Sequence, residues 1–412
     1  TITYNVNDYM INLSYAEKID SFLEEYKTER IALAYANALV NSSYIANSYE
    51  KSLDQADKIK ILLNEYKSEV IAQKYSEVLT NVSKIANNYH DVIKQIDKIK
   101  VLFMDYGTNE IVLAYASALT NASGKSNNYI QSLIHAYQIK ILLNYYEMDE
   151  IAFEYARALF NATCDTDNFD ERLKQADKIE ALLQEYKTPE IALAYAEALV
   201  NVSNKADNYD KSLKQADKIN ELLKEYETPE IALKYAKALF NATCVTDNFD
   251  ERLEQADKIN ELLKEYKTPE IALEYAQVLV NVSNKADNYD KSLKQANKIN
   301  ELLKYYKTSK IALKYAKALA STALNSDNCN TIISYKTAIY NLYQEYKTLE
   351  FAECYAMILA ILSFNLDTAD EIKNICLAGI DEIKADGFNS QKILDMEEYI
   401  NEDLSDILNQ QN

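Results

Sequence analysis

Thr188-Pro189-Glu190-Ile191-Ala192-Leu193 returns as Thr228-Pro229-Glu230-Ile231-Ala232-Leu233 and again as Thr268-Pro269-Glu270-Ile271-Ala272-Leu273, forty residues apart each time. Tyr26, Tyr66, Tyr106, Tyr146, Tyr186, Tyr226, Tyr266, Tyr306 and Tyr346 keep the same step. A fixed period of this length marks stacked supersecondary units, none of which can bury its apolar face alone. Within the unit, Thr188 can cap a helix, Pro189 suits the first helical position, and Glu190 favours the positive helix end. Ile191, Ala192, Tyr195, Ala198, Leu199 and Val202 then form one apolar face. A second cap at Asp207-Asn208-Tyr209-Asp210 opens a helix to about Tyr226, with Leu213, Ala216, Ile219 and Leu223 inside and Asp210, Lys214, Asp217, Glu221 and Glu225 in a charged outer stripe.

Each repeat is therefore an antiparallel helix pair. The expected fold class is all-α, a right-handed superhelical α-solenoid of about ten stacked hairpins. Four Gly and three Pro in 412 residues leave little material for β-turns. The forty-residue array is expected over 1–360, beginning in mid-repeat. A divergent repeat and capping helix follow over 361–412. Residues 161–240 and 241–320 differ at fourteen positions, so the middle of the chain grew by copying a two-repeat block.

Tyr195-Ala196, Ser212, Ala216 and Pro229, at packing and junction positions of a helix hairpin, resemble the tetratricopeptide-type repeat. The period departs from that family's usual length of about 34, and armadillo- or HEAT-like packing is the alternative. The resemblance covers roughly residues 9–360 and implies a non-enzymatic interaction scaffold.

A net charge of -20 disfavours nucleic acid as a partner, and no apolar run is long enough for membrane insertion. Five cysteines form no CxxC pair, and the two histidines, His90 and His135, lie in different repeats. Neither a catalytic constellation nor a cofactor or metal motif is present. The carboxylate-rich loop Asp165-Thr166-Asp167-Asn168-Phe169-Asp170-Glu171 lacks the glycine and glutamate spacing of an EF-hand and suits helix capping instead. The tyrosine series are expected to fill space between hairpins.

Asn41, Asn81, Asn121, Asn161, Asn201, Asn241 and Asn281 each begin an Asn-x-Ser/Thr triplet in register, expected on a face turned away from the apolar one. This pattern suits N-glycan acceptors; the alternative is a copied polar contact at a helix terminus. Glycan use would make the protein extracellular or surface-exposed, and bare triplets would suit a cytoplasmic adaptor.

Two apolar surfaces depart from the consensus. Ile130, Ile134, Tyr137, Ile141 and Tyr145 stand where the unit from Thr188 has Asp210, Lys214, Asp217, Glu221 and Glu225. Contact with another chain is expected there; a neighbouring repeat folding over the stripe is the alternative. Near the start, Tyr9, Met10, Ile11 and Tyr15 form an apolar end surface, with Thr1 to Asp8 read as the tail of a missing first helix. At the other end Ile393, Met396, Ile400, Leu404 and Ile407 define one helical stripe. The expected function is a self-associating structural scaffold, copies of the chain joining head to tail into a filament. An adaptor that binds a peptide or helix in a concave groove is the alternative.

Overall fold

The computed structural model describes residues 8–364 and 370–401. It divides into two compact units, Thr1–Lys205 and Ala206–Asn412. The first holds α1 (Tyr9–Tyr26), α2 (Glu29–Ile45), α3 (Tyr49–Tyr66), α4 (Glu69–Ile85), α5 (Tyr89–Tyr106), α6 (Asn109–Lys125), α7 (Tyr129–Tyr146), α8 (Asp149–Cys164), α9 (Phe169–Tyr186) and α10 (Pro189–Ser203). The second holds α11 (Tyr209–Tyr226), α12 (Pro229–Cys244), α13 (Phe249–Tyr266), α14 (Pro269–Ser283), α15 (Tyr289–Tyr306), α16 (Ser309–Leu324), α17 (Cys329–Tyr346), α18 (Leu349–Phe364), α19 (Asp370–Ala385) and α20 (Gln391–Asn401). The chain is an all-α repeat solenoid, and no strand occurs among the described residues.

The even-numbered helices start as the sequence dictates. The hydroxyl of Thr188 accepts from the Ile191 amide at 3.3 Å, and Thr228, Thr268 and Thr308 repeat the cap. The odd-numbered helices from α5 to α17 open on an asparagine, as at Asn208, whose side-chain oxygen accepts from the Lys211 amide at 3.0 Å, while Asp8 caps α1 and Ser48 caps α3. Each odd helix ends in a left-handed residue that turns the chain straight into the next even helix. Lys27, Lys67, Gly107, Glu147 and Lys187 play this part in the first unit, and Glu227, Lys267, Lys307 and Lys347 in the second. At Lys67 φ is 47°, and its amide donates to the Leu63 carbonyl at 2.8 Å. Of these nine residues only Gly107 is of the type that this conformation prefers.

Within each unit every helix packs on its neighbours in sequence, and successive even helices also pack on one another. This second contact needs small side chains. Ala192 and Ala196 on α10 and Ala152 and Ala156 on α8 are wholly buried. Tyr35, Tyr75, Tyr115, Tyr155 and Tyr195 lie in the core beside them, as do Tyr235, Tyr275 and Tyr355 in the second unit. At the end of the second unit, Ile393 and Ile400 of α20 are buried against α18 and α19, with Lys384 and Glu397 paired at 2.5 Å. Leu404 and Ile407 lie outside the described residues.

The left-handed residues give a direct test. Lys67→Gly should raise stability by about 1 kcal/mol, because a Cβ is disfavoured at positive φ. Gly107→Lys should lower it by a similar amount, since an added Cβ meets nothing closer than the Phe103 carbonyl at 3.6 Å and only the backbone cost applies. Thermal melts of the two variants should move in opposite directions.

Candidate functional site

The glycosylation triplets occupy a different place from the one their spacing suggested. They lie at the seam between successive even helices, and the middle residues Val82, Ala122, Ala162 and Val202 are fully buried. Asn81 is itself only 8% exposed. Its amide donates to the Ser43 hydroxyl at 3.0 Å, Asn121 to Ser83 at 2.8 Å, Asn201 to Thr163 at 2.8 Å and, in the second unit, Asn281 to Thr243 at 3.0 Å. Asn161 donates to the Thr120 carbonyl at 3.2 Å. Asn41 and Asn241 are half-buried at the same register. Each accepting hydroxyl also donates to its own helix, as Thr163 does to the Phe160 carbonyl at 2.6 Å. Asparagine and hydroxyl thus form the rungs of a ladder, which is why both recur while the residue between them varies. The asparagines do not stand on an open face, and a glycan on the rung nitrogen would lie between two packed helices.

A second ladder joins successive odd helices. Gln95 donates to the Tyr49 hydroxyl at 3.1 Å, Gln175 to Tyr129 at 2.9 Å and Gln255 to Tyr209 at 2.6 Å. His135 takes the glutamine's position, its Nε2 2.8 Å from the Tyr89 hydroxyl and its Nδ1 3.2 Å from Gln138. Burial lowers its pKa from the usual histidine value, with the Gln138 hydrogen bond opposing. His90 is exposed, so the two histidines are not brought together. Where the tyrosine is replaced by Phe249, the Lys291 ammonium sits 4.9 Å from the ring centre.

The acidic loop also disperses. Asp165 accepts from Ser132 at 2.5 Å, Asp167 pairs with Lys205 at 2.6 Å, and Glu171 accepts from Thr166 at 2.5 Å. Among the described residues no cluster of three or more His, Cys, Asp or Glu could hold a metal. No described helix is long and apolar enough to cross a membrane.

The stripe on α7 is open to solvent. Ile130, Ile134, Tyr137, Ile141 and Tyr145 are exposed by 61, 52, 65, 40 and 81%. Among the described residues no neighbouring repeat folds over them. Their opposite side explains how the helix bears this: Ser132, Ala136, Ile139, Leu142 and Leu143 hold it in the stack. Ile61 and Val101 share the repeat position of Ile141, and these two with Met104 extend the apolar surface across α3 and α5. The sequence reading missed this extension, although the forty-residue register contains it.

The surface at α1 is only partly the one expected. Met10 and Ile11 are exposed, but Tyr9 belongs to the second ladder, under Lys51 at 4.8 Å and 3.5 Å from Gln55. Tyr15 is half-buried. Phe22, overlooked in the sequence, is 57% exposed, whereas its repeat equivalents Leu62, Leu102 and Leu142 are 5–7% exposed. Of the stripe expected to receive this end in a filament, Ile393 and Ile400 face inward, and Leu404 and Ile407 lie outside the described residues. A groove of about 310 Å³ crosses α2, α4 and α6. Its polar groups already pair among themselves: Tyr44 with Glu77 at 3.2 Å, Lys74 with Glu77 at 2.9 Å and Gln73 with Glu110 at 3.2 Å.

No family model and no curated protein matches the chain. Among solved structures, one described as "Computational Design of Self-Assembling Cyclic Protein Homooligomers" is 14% identical, covering 90% of this chain and 98% of that one, with a TM-score of 0.11. At that score the pairing carries no argument about this chain.

Two outcomes are expected of the ladders. Asn201→Ala should cost about 1 kcal/mol, the worth of one hydrogen bond, and intact mass of protein from its native source should show unmodified asparagines. Hexose on these residues would place them outside the ladder. His135 binds its proton less readily folded than unfolded, so its contribution is fully present above the unfolded value of 6.5 and is lost as the pH falls below it. The melting temperature of His135→Gln should therefore fall less than that of the wild type between neutral and mildly acidic pH.

Proposed function

We propose that the chain is a non-enzymatic protein-binding scaffold and that the α7 stripe is its docking face. The observation that carries this reading is the exposure of five large apolar side chains where α11 presents Asp210, Lys214, Asp217, Glu221 and Glu225. Apolar area is driven from water by about 25 cal/mol per Å², and contiguous exposed patches mark interaction surfaces. A hairpin array is suited to the task, because its packing is complete without α7's outer face. That face is then free to vary. The separated histidines and dispersed carboxylates favour binding over catalysis.

The tetratricopeptide-type adaptor, binding a peptide in a groove, is the second reading. It draws support from the hairpin repeat and from the groove across α2, α4 and α6, and it is weakened by that groove's internal pairing. An extracellular placement rested on open acceptor asparagines. With those side chains in the ladder, that support is lost.

A photo-crosslinking residue at Gln131 or Asn144, beside the stripe, should trap protein in native extracts. The same residue at Glu261 on α13, at the position of Ile141, should trap much less. Equal trapping at both places would overturn the assignment of the docking face.

A further inference from the structure

We infer that the α7 stripe pairs with the α7 stripe of a second copy, the two helices antiparallel. This rests on the docking face proposed above and names its occupant. The exposed residues step by four, three, four and four along the helix, an apolar seam like that of a coiled coil. They also read nearly the same in both directions. Turning a second copy end for end sets Ile130 opposite Tyr145, Ile134 opposite Ile141, and Tyr137 at the centre beside Gln138. An isologous two-fold contact requires a surface of this kind, complementary to itself.

Charge points the same way. The chain carries a net charge of -20, so two copies repel wherever their acidic faces meet. Every other odd helix in the repeats has at least one carboxylate, whereas α7 has none, and Lys140 is its one exposed charge. In the antiparallel pairing the two copies of Lys140 lie about 7.5 Å apart along the axis, on the flank of the seam. A nearly neutral seam also offers no charge pattern by which an acidic or basic partner would be selected. The flanking helices carry both signs, with Lys94 and Asp97 on α5 and Lys174 and Asp177 on α9, and supply a polar rim.

The size of the seam suits one helix. Eighteen residues span about 27 Å, and a contact about 10 Å wide covers about 270 Å² per copy. Standard interfaces bury about 800 Å² per partner, so even with Val101 and Met104 added the expected dimer is a weak, transient one.

Sedimentation of the full chain across the micromolar range should show a concentration-dependent dimer. Ile134→Lys with Tyr137→Asp, which restores residue types found in sister repeats, should weaken it at least about a hundredfold with an unchanged thermal melt. With the exposed cysteines Cys164 and Cys244 replaced by serine, Ile134→Cys combined with Ile141→Cys should form an intermolecular disulfide on oxidation. Ile134→Cys alone should not. Linkage by Ile134→Cys alone would overturn the antiparallel pairing. A chain that stays monomeric throughout, while the label at Asn144 still traps another protein, would overturn the second copy as occupant and leave the docking face standing. A monomer whose α7 side chains resist labelling would overturn both.

Discussion

Successive even helices can approach closely because Ala152 and Ala156 on one, and Ala192 and Ala196 on the next, project no more than a methyl group. That approach takes the hydroxyls of Ser43, Ser83, Thr163 and Thr243 out of water, and a buried polar group without a partner costs about 1–3 kcal/mol. The asparagine and hydroxyl rungs satisfy those atoms and set the register of one repeat on the next. Apolar packing alone tolerates a slide along the helix axis. A rung such as Asn201 to Thr163 at 2.8 Å does not.

Because the inner contacts are complete, the outer faces of the odd helices are under little structural constraint. Most carry mixed charge, which keeps neighbouring molecules apart. On α7 that protection has been removed while the inner side, from Ser132 to Leu143, is kept intact. Stability and interaction are therefore separable in this fold, since the residues that hold a repeat and those that could engage a partner lie on opposite sides of one helix.

Repeated positions with different residues are informative in the same way. His135 stands where Gln95 and Gln175 stand, and makes an equivalent bond to a tyrosine hydroxyl. It also introduces a titrating group into a buried site. Phe249 loses the hydroxyl of Tyr209 and is covered by the Lys291 ammonium instead. Both show the array accepting change where a neighbouring side chain can compensate.

Helix limits, caps and the hairpin order were legible in the sequence alone, because they depend on local chemistry: a threonine or asparagine oxygen over free amides, a proline at the first helical position, and a period that repeats without error. The outward direction of the α7 stripe was legible for the same reason, since helical spacing fixes which residues share a side. What spacing could not decide was which sides the stack would cover. Asn81 and Asn201 have the spacing of a free polar face, yet the preceding even helix lies against them, and the amide that could have carried a glycan binds a hydroxyl 38 residues earlier. Phe22 reads as an ordinary core position, and only the place of α1 in the stack leaves it open. Ile393 and Ile400 read as an end surface, and α18 and α19 bury them. Each outcome depends on contacts between residues distant in sequence, which a helical period does not contain.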